Sequence, residues 1–312
     1  MKTRHFTIGL TALVLAGAVL LTSCRKKQKE DEDSDVTAAN DNTLAESTSN
    51  DVLTMAGQAS ENGSFSSYRV GAGEDVTGLS CATISVTGAQ QITATFSGGA
   101  CLDGKTRSGS LTFDFSGSTN GATAYRHPGF KCVITSSNYV VNSHSVTVSK
   151  TITNTTPVVF NPQTTNLTWN ISSSISIVKP NGGGTINWSC PGRTQTLLNT
   201  SDTSVYHGAS TPITWYKNNG GTVIGARVGI TGSANCTSTN GSSFTVNITS
   251  QLVKDFTCSP DALHPGHHPF IQGTLDFTPG SKATRHVDYG NGSCDFNATV
   301  TINGHVYNIT LP

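Results

Sequence analysis

The stretch Phe296-Asn297-Ala298-Thr299-Val300-Thr301-Ile302-Asn303-Gly304-His305-Val306-Tyr307-Asn308-Ile309-Thr310-Leu311 decides the fold class. Apolar residues fall on every second position from Phe296 to Ile302, and again at Tyr307, Ile309 and Leu311. Thr and Asn fill the positions between. A period of two sends alternate side chains to opposite faces of a strand, one dry and one wet. Asn303-Gly304 supplies the two positive φ angles of a type I′ turn. The stretch therefore reads as an antiparallel hairpin.

The same alternation recurs upstream at Ile92, Ala94 and Phe96; at Leu111, Phe113 and Phe115; at Phe244, Val246 and Ile248; and at Leu275 and Phe277. Asn181-Gly182, Asn219-Gly220, Asn240-Gly241 and Asn291-Gly292 add turn signals. No long helical period follows Ser64, which argues against crossover helices and a parallel sheet. The expected fold is mainly β, with antiparallel sheets forming a sandwich or an elongated curved sheet of hairpins. This body runs over 64–312, with a subdivision near 117–243. Trp169, Trp188 and Trp215 lie in phase with neighbouring apolar residues, so they read as core, which weakens a sugar-stacking role.

One short helix precedes the body, over 43–63. Thr43 and Glu46 have capping-box spacing, with Thr43 as N-cap. Leu44, Val52, Met55 and Ala59 recur at helical spacing, and Gly63 stops the run. The stripe is thin, so the helix is expected to pack on a larger body.

Composition narrows the function classes. The chain has 312 residues, no net charge, and only 12% Asp, Glu, Lys and Arg. A general nucleic-acid binder needs clustered cations and is excluded on that ground. Nine of the charged residues crowd between Arg25 and Asp35. The body that follows is poorer still in charge, with a wet side of hydroxyls and amides.

Residues 1–23 read as a signal peptide: Lys2 and Arg4 precede an apolar run from Ile8 to Leu21, too short for a membrane span. Leu21-Thr22-Ser23-Cys24 resembles a bacterial lipobox. The resemblance implies cleavage before Cys24 and acyl chains on it, a membrane anchor at about 0.8 kcal/mol per buried CH₂. Residues 24–42 form a charged and polar tether. Its basic-then-acidic run is similar to the surface-export signal of Bacteroidota lipoproteins, which implies an outer-membrane protein facing outward.

Phe96-Ser97-Gly98-Gly99-Ala100-Cys101 and Tyr289-Gly290-Asn291-Gly292-Ser293-Cys294 form a weak internal repeat. Each copy has an upstream cysteine, which suggests disulfides Cys81–Cys101 and Cys258–Cys294. Of the remaining Cys132, Cys190 and Cys236, the preferred third pair is Cys190–Cys236, leaving Cys132 free. No C-x-x-C occurs, so a zinc site is disfavoured.

Cys101-Leu102-Asp103-Gly104-Lys105-Thr106-Arg107-Ser108-Gly109 resembles the C-x-D-G-[KR]-x-R-x-G signature of a family of uncharacterised Bacteroidota surface lipoproteins. The segment from Asp288 to Asp295 is similar to that family's DYGxGxCD ending. The resemblance implies localisation and fold, and it carries no activity. The middle of the chain, 117–243, matches loosely.

Two clusters carry candidate metal chemistry. His264-Pro265-Gly266-His267-His268 offers three imidazoles to a borderline metal, although Pro265 and Gly266 equally set a turn. Asp288, Asn291 and Asp295 offer oxygens to calcium, or simply stabilise their own turns. There is no H-E-x-x-H and no Walker sequence. Gly78-Leu79-Ser80-Cys81-Ala82 weakly resembles a nucleophile elbow but leads into a strand. The expectation is a non-enzymatic structural or interaction protein without a cofactor, with a glycan- or metal-capturing lipoprotein as the alternative. Its partners are the membrane, through Cys24, and an extracellular glycan or protein.

Overall fold

A computed structural model describes residues 33–61, 78–88, 90–122, 125–159, 165–198, 227–260 and 268–311. Asp35–Pro312 form one compact unit. Its described residues hold one α-helix, α1 (Thr37–Glu61), and fourteen strands. In order they are β1 (Ala82–Val86), β2 (Gln91–Ala100), β3 (Thr106–Asp114), β4 (Lys131–Val141) and β5 (His144–Asn154). Then come β6 (Thr168–Val178), β7 (Thr185–Leu197), β8 (Arg227–Thr231), β9 (Ser233–Thr237) and β10 (Ser243–Asp255). The last four are β11 (Phe270–Phe277), β12 (Arg285–Asn291), β13 (Asn297–Ile302) and β14 (His305–Thr310).

All strands belong to one antiparallel sheet, nearly in chain order. The expected antiparallel β class is observed. Across the described part of 117–243, β4 to β10 belong to the same sheet as the strands on either side. Pairing of β13 with β14 places Ile302 opposite His305, with Asn303 at φ 50° and Gly304 at φ 83°, the turn read from the sequence. The β4–β5 turn has the same geometry with Asn142-Ser143, at φ 47° and 65°, where no Asn-Gly marks it. Asn219-Gly220 lies outside the described residues.

The helix departs most from expectation. It starts at Thr37, inside the expected tether, so Thr43 is not its N-cap. Thr43 Oγ1 donates instead to the Ala39 carbonyl, 2.8 Å away within the helix. The first amide belongs to Asp35, whose carboxylate accepts from Thr37 N at 2.9 Å. Between Thr37 and Ser60 only Asn40 is exposed. A flat sheet would cover one side of a helix. Burial all round, with partners on strands from β3 to β12, requires the sheet to curl around it.

A helix this polar survives burial because its small side chains bond to their own turns. Thr48 Oγ1 donates to Leu44 O, Thr54 Oγ1 to Asn50 O, and Asn50 Nδ2 to Glu46 O, all within 2.9 Å. The apolar core lies between α1 and the inner faces of the strands, where Trp169 and Trp188 are both buried. Tyr125 stacks on Trp169 at 4.9 Å, and its carbonyl accepts from Trp169 Nε1 at 2.9 Å. Trp215 lies outside the described residues.

Candidate functional site

The inner face of the sheet carries cations that meet the polar groups of the helix. Arg107 on β3 is 1% exposed. Its Nη2 donates to Asp51 Oδ2 at 2.8 Å and to Asp103 Oδ2 at 2.5 Å, and its Nε donates to Tyr139 Oη at 3.1 Å. Lys105 Nζ stands 3.5 Å from Asp51. Burial works against the Asp51 charge, but Arg107 and Lys105 outweigh it and hold the carboxyl well below the usual range. On β7, Arg193 Nη1 donates to Glu46 Oε2 at 2.6 Å, and its guanidinium lies 5.1 Å from the Trp188 ring. On β5, Lys150 Nζ donates to the carbonyl and hydroxyl of Ser49, 2.7 Å each, and burial pulls its pKa down to about 8.

Asp41 is held by Lys179 and by Ser238 and Thr239, whose hydroxyls donate at 2.6 and 2.7 Å. Burial opposes its charge, and these donors still keep its pKa below the ordinary value. Lys282 and the Thr37 amide do the same for Asp35.

The signature segment is the core of this grip. Cys101 is bonded to Cys81, anchoring the turn that presents Asp103. Gly104, at φ 78°, closes that turn by donating from its amide to Cys101 O at 2.9 Å. Lys105 and Arg107 then reach Asp51. Gly109, at φ 81°, sits at a register shift against β4, where a Cβ would fall 2.0 Å from Asn138 O. Cys101, Asp103, Gly104, Lys105, Arg107 and Gly109 thus each have a structural role.

The outer face is the opposite in chemistry. One cross-strand row runs Thr93–Thr112–Thr135–Ser149–Ser174–Ser189 over β2 to β7, then reaches Asn235 on β9 and Thr245 on β10. Every member is exposed or half-buried. Some neighbours bond directly: Thr93 and Thr112 hydroxyls lie 3.3 Å apart, and Thr245 Oγ1 donates to Asn235 Oδ1 at 3.0 Å.

Where the row crosses β6, β7, β9 and β10 the face is concave. β7 shifts register at Pro191-Gly192, and the strand beside it is broken into β8 and β9 at Gly232, φ 112°. Such breaks bend a sheet. The resulting trough has an open volume of about 840 Å³. Ser174, Ser176, Asn187, Ser189, Asn235 and Thr237 line it, and no charged side chain does so among the described residues. Trp188 and Phe244 form its floor from beneath, and both are buried.

A second, smaller concavity lies beside α1, where Lys254, Lys105 and Tyr289 stand among mostly polar side chains that include Glu46, Asp51 and Asp103.

The residues singled out from the sequence separate. Cys81–Cys101 and Cys258–Cys294 are bonded pairs, with Cα atoms 4.7 and 5.3 Å apart. Cys190–Cys236 is not a pair: Cys132, Cys190 and Cys236 are all free and buried. Cys236 pairs across strands with Trp188, not Cys190, so the two thiols are diagonal neighbours whose side chains point the same way. Cys190 Sγ donates instead to Ile171 O at 3.6 Å. Burial raises all three thiol pKa values, Cys236 to about 12.

Asp288 Oδ1 accepts from Gly290 N and Asp295 Oδ1 from Asn297 N, 2.8 Å each, so both serve their own turns. Asn291 is exposed at the end of β12. His268 Nδ1 is 2.6 Å from Cys258 O, while His264 and His267 lie outside the described residues, as does Cys24. Among the described residues no three His, Cys, Asp or Glu side chains gather as a metal site.

Sequence reasoning missed the inner cations. A signal existed. Lys150 keeps phase with Val146, Val148 and Ile152, and Arg107 with Leu111 and Phe113. A charge on the apolar parity of a strand implies a buried counter-charge or acceptor.

Compared with known proteins, the chain matches no family model, no curated protein and no solved structure. No helix among the described residues is long and apolar enough to cross a membrane.

Proposed function

We propose that this chain is a non-enzymatic interaction protein, held on the outer membrane through lipid at Cys24 and facing outward. It docks a neutral, polyhydroxylated partner on the outer face of its sheet. The observation that carries this reading is the trough: hydroxyl and amide side chains in register over four strands, with no charge among the described residues. Such groups both donate and accept, which suits a glycan and offers nothing to an anionic polymer. Arg107, Lys150 and Arg193 on the inner face are occupied with the helix, which supports a structural role for them. The lipobox and the basic-to-acidic tether support the address, and the signature segment supports membership of the Bacteroidota lipoprotein family.

The partner is tested by probing a glycan array with the chain from Arg25 onward. Binding to neutral glycans, lost in Asn187→Asp/Asn235→Asp, is expected; binding unchanged in that variant overturns the trough as the site. The address is tested separately. Cys24→Ala should leave the membrane fraction, and protease added to intact cells should digest the wild type. Full protection of the intact-cell protein refutes outward exposure.

A further inference from the structure

The outward-facing side chains of the trough form a grid of two rows. Ser174 on β6, Ser189 on β7, Asn235 on β9 and Thr245 on β10 stand opposite one another in turn. Two residues along each strand, Ser176, Asn187, Thr237 and Ser243 repeat the pattern. All eight carry a hydroxyl or an amide, and each is exposed or half-buried. Neighbouring strands lie about 4.8 Å apart, and residues two apart on one strand are separated by about 6.8 Å. The grid is therefore a pair of polar rails that cross four strands side by side.

The two halves of the grid differ. On β9 and β10 the side chains engage one another: the Thr237 and Ser243 hydroxyls lie 2.9 Å apart, and Thr245 Oγ1 donates to Asn235 Oδ1 at 3.0 Å. On β6 and β7, Ser174, Ser176, Asn187 and Ser189 make no side-chain hydrogen bond among the described residues. Hydroxyls and amides both donate and accept, so these four can serve a partner on either rail. Beneath them Trp188 and Phe244 are only 2% and 7% exposed. The floor offers no open ring face for stacking, so a sugar in this trough is held by its edges.

That arrangement selects a shape of glycan. A chain lying along the rails, across the strands, meets a pair of polar groups at every strand. A β-1,4-linked hexopyranose chain is a flat ribbon with hydroxyls along both edges, and it advances by about one ring per strand spacing. An α-1,4-linked chain coils, so its hydroxyls leave the two rails. A branch places a substituent where one rail must bind.

We propose that the trough takes an unbranched, extended β-1,4-linked hexopyranose chain of about four rings, one per strand, laid across β6, β7, β9 and β10 with one edge on each rail. The proposal rests on the reading of the trough as a docking site for a neutral glycan, and it adds the partner's linkage, direction and length.

The test is calorimetric titration of the chain from Arg25 onward with β-1,4-linked gluco- and manno-oligosaccharides of two, four and six rings, and with maltotetraose. At least one β-linked tetraose should bind about tenfold or more tighter than its own disaccharide and than maltotetraose, and its hexaose should gain less than about twofold more. Cutting either rail, by Ser174→Ala/Ser189→Ala or by Ser176→Ala/Asn187→Ala, should weaken the tetraose about tenfold, the worth of two hydrogen bonds. Thr135→Ala, in the same cross-strand row but outside the trough, should leave it unchanged. If a rail variant fails to fold, the linkage and length comparisons on the unaltered chain decide alone. Neither β-linked tetraose binding, maltotetraose binding as tightly, no gain from two rings to four, a continued rise beyond four, or unchanged affinity in a folded rail variant each overturns the proposal. The underlying reading fails separately, when no neutral glycan on the array binds. Maltotetraose binding that is lost in Asn187→Asp/Asn235→Asp would overturn the flat chain and leave the docking site standing.

Discussion

The two faces of this sheet reverse the usual arrangement of charge. The inner face, against the helix, holds Arg107, Lys150 and Arg193, all at most 3% exposed. The outer face, against water, is a row of Ser, Thr and Asn. The difference teaches what each face is for. A buried cation is tolerated only where a partner is fixed opposite it, so the inner charges set the register and rotation of the helix. Hydroxyls cost little to leave in water and little to strip of it. They leave the trough over β6, β7, β9 and β10 uncharged and available.

The sharpest way to break this comparison is to cut the inner grip. Arg107→Met leaves Asp51 and Asp103 buried without their main partner. Losses from broken buried pairs run to about 3–5 kcal/mol. Urea unfolding monitored by tryptophan fluorescence should show a loss in that range; a loss below about 1 kcal/mol would mean the pair does not hold the helix.

The Glu46–Arg193 pair refines the point through a double-mutant cycle. Glu46→Leu and Arg193→Met should each cost several kcal/mol, and the double variant should cost less than either single change, because no charge is left alone. Additive losses would show that each side chain acts through packing only.

Acid should act on the inner face before the outer one. The carboxyls of Asp35, Asp41 and Asp51 titrate below their unfolded value near 4. Between the two values the unfolded chain holds more protons, so stability rises with pH. It is complete above about pH 5 and drains as pH falls below about 4. Melting temperature should therefore be flat from pH 5 to 7 and drop steeply toward pH 3. A chain equally stable at pH 3 and 6 would deny these carboxyls their role.

The free thiols report whether the inner layer stays closed. Iodoacetamide should label none of Cys132, Cys190 and Cys236 in the native protein and all three after denaturation without reductant. Labelling of Cys190 in the native state would show that the β6–β7 layer opens.

The smallest effect belongs to the outer row. Ser149→Ala or Ser174→Ala should shift stability by no more than about 0.5 kcal/mol. A larger loss would mean that the row is structural, not a surface kept for a partner.

The strands were legible because alternation is local. Phe296–Leu311 states its two faces and its turn within sixteen residues, and the hydroxyl wet side follows from the same parity. The helix was legible in existence but not in extent. Thr43-x-x-Glu46 has the spacing of a cap, yet both residues are used otherwise: Thr43 bonds back to Ala39, and Glu46 is claimed by Arg193, 147 residues away. The Cys190–Cys236 expectation failed for a related reason. Spacing in the chain says nothing of register, and a shift of two residues between strands separates thiols that lie on one face. The site was the least legible part, because Ser176, Asn187, Thr237 and Ser243 come into one row only when four strands pair in register.

By itself, the sequence determined the antiparallel class, the two disulfide pairs, the burial of Trp169 and Trp188 and the hydroxyl-rich outer row. Each depends on alternation along one strand or on a repeated local pattern. Tertiary structure alone decided that the sheet curls around its helix, and that the inner cations and helix acids find one another. Those outcomes depend on the curvature of fourteen strands taken together, set by breaks such as Pro191-Gly192 and Gly232, and no single segment encodes that sum.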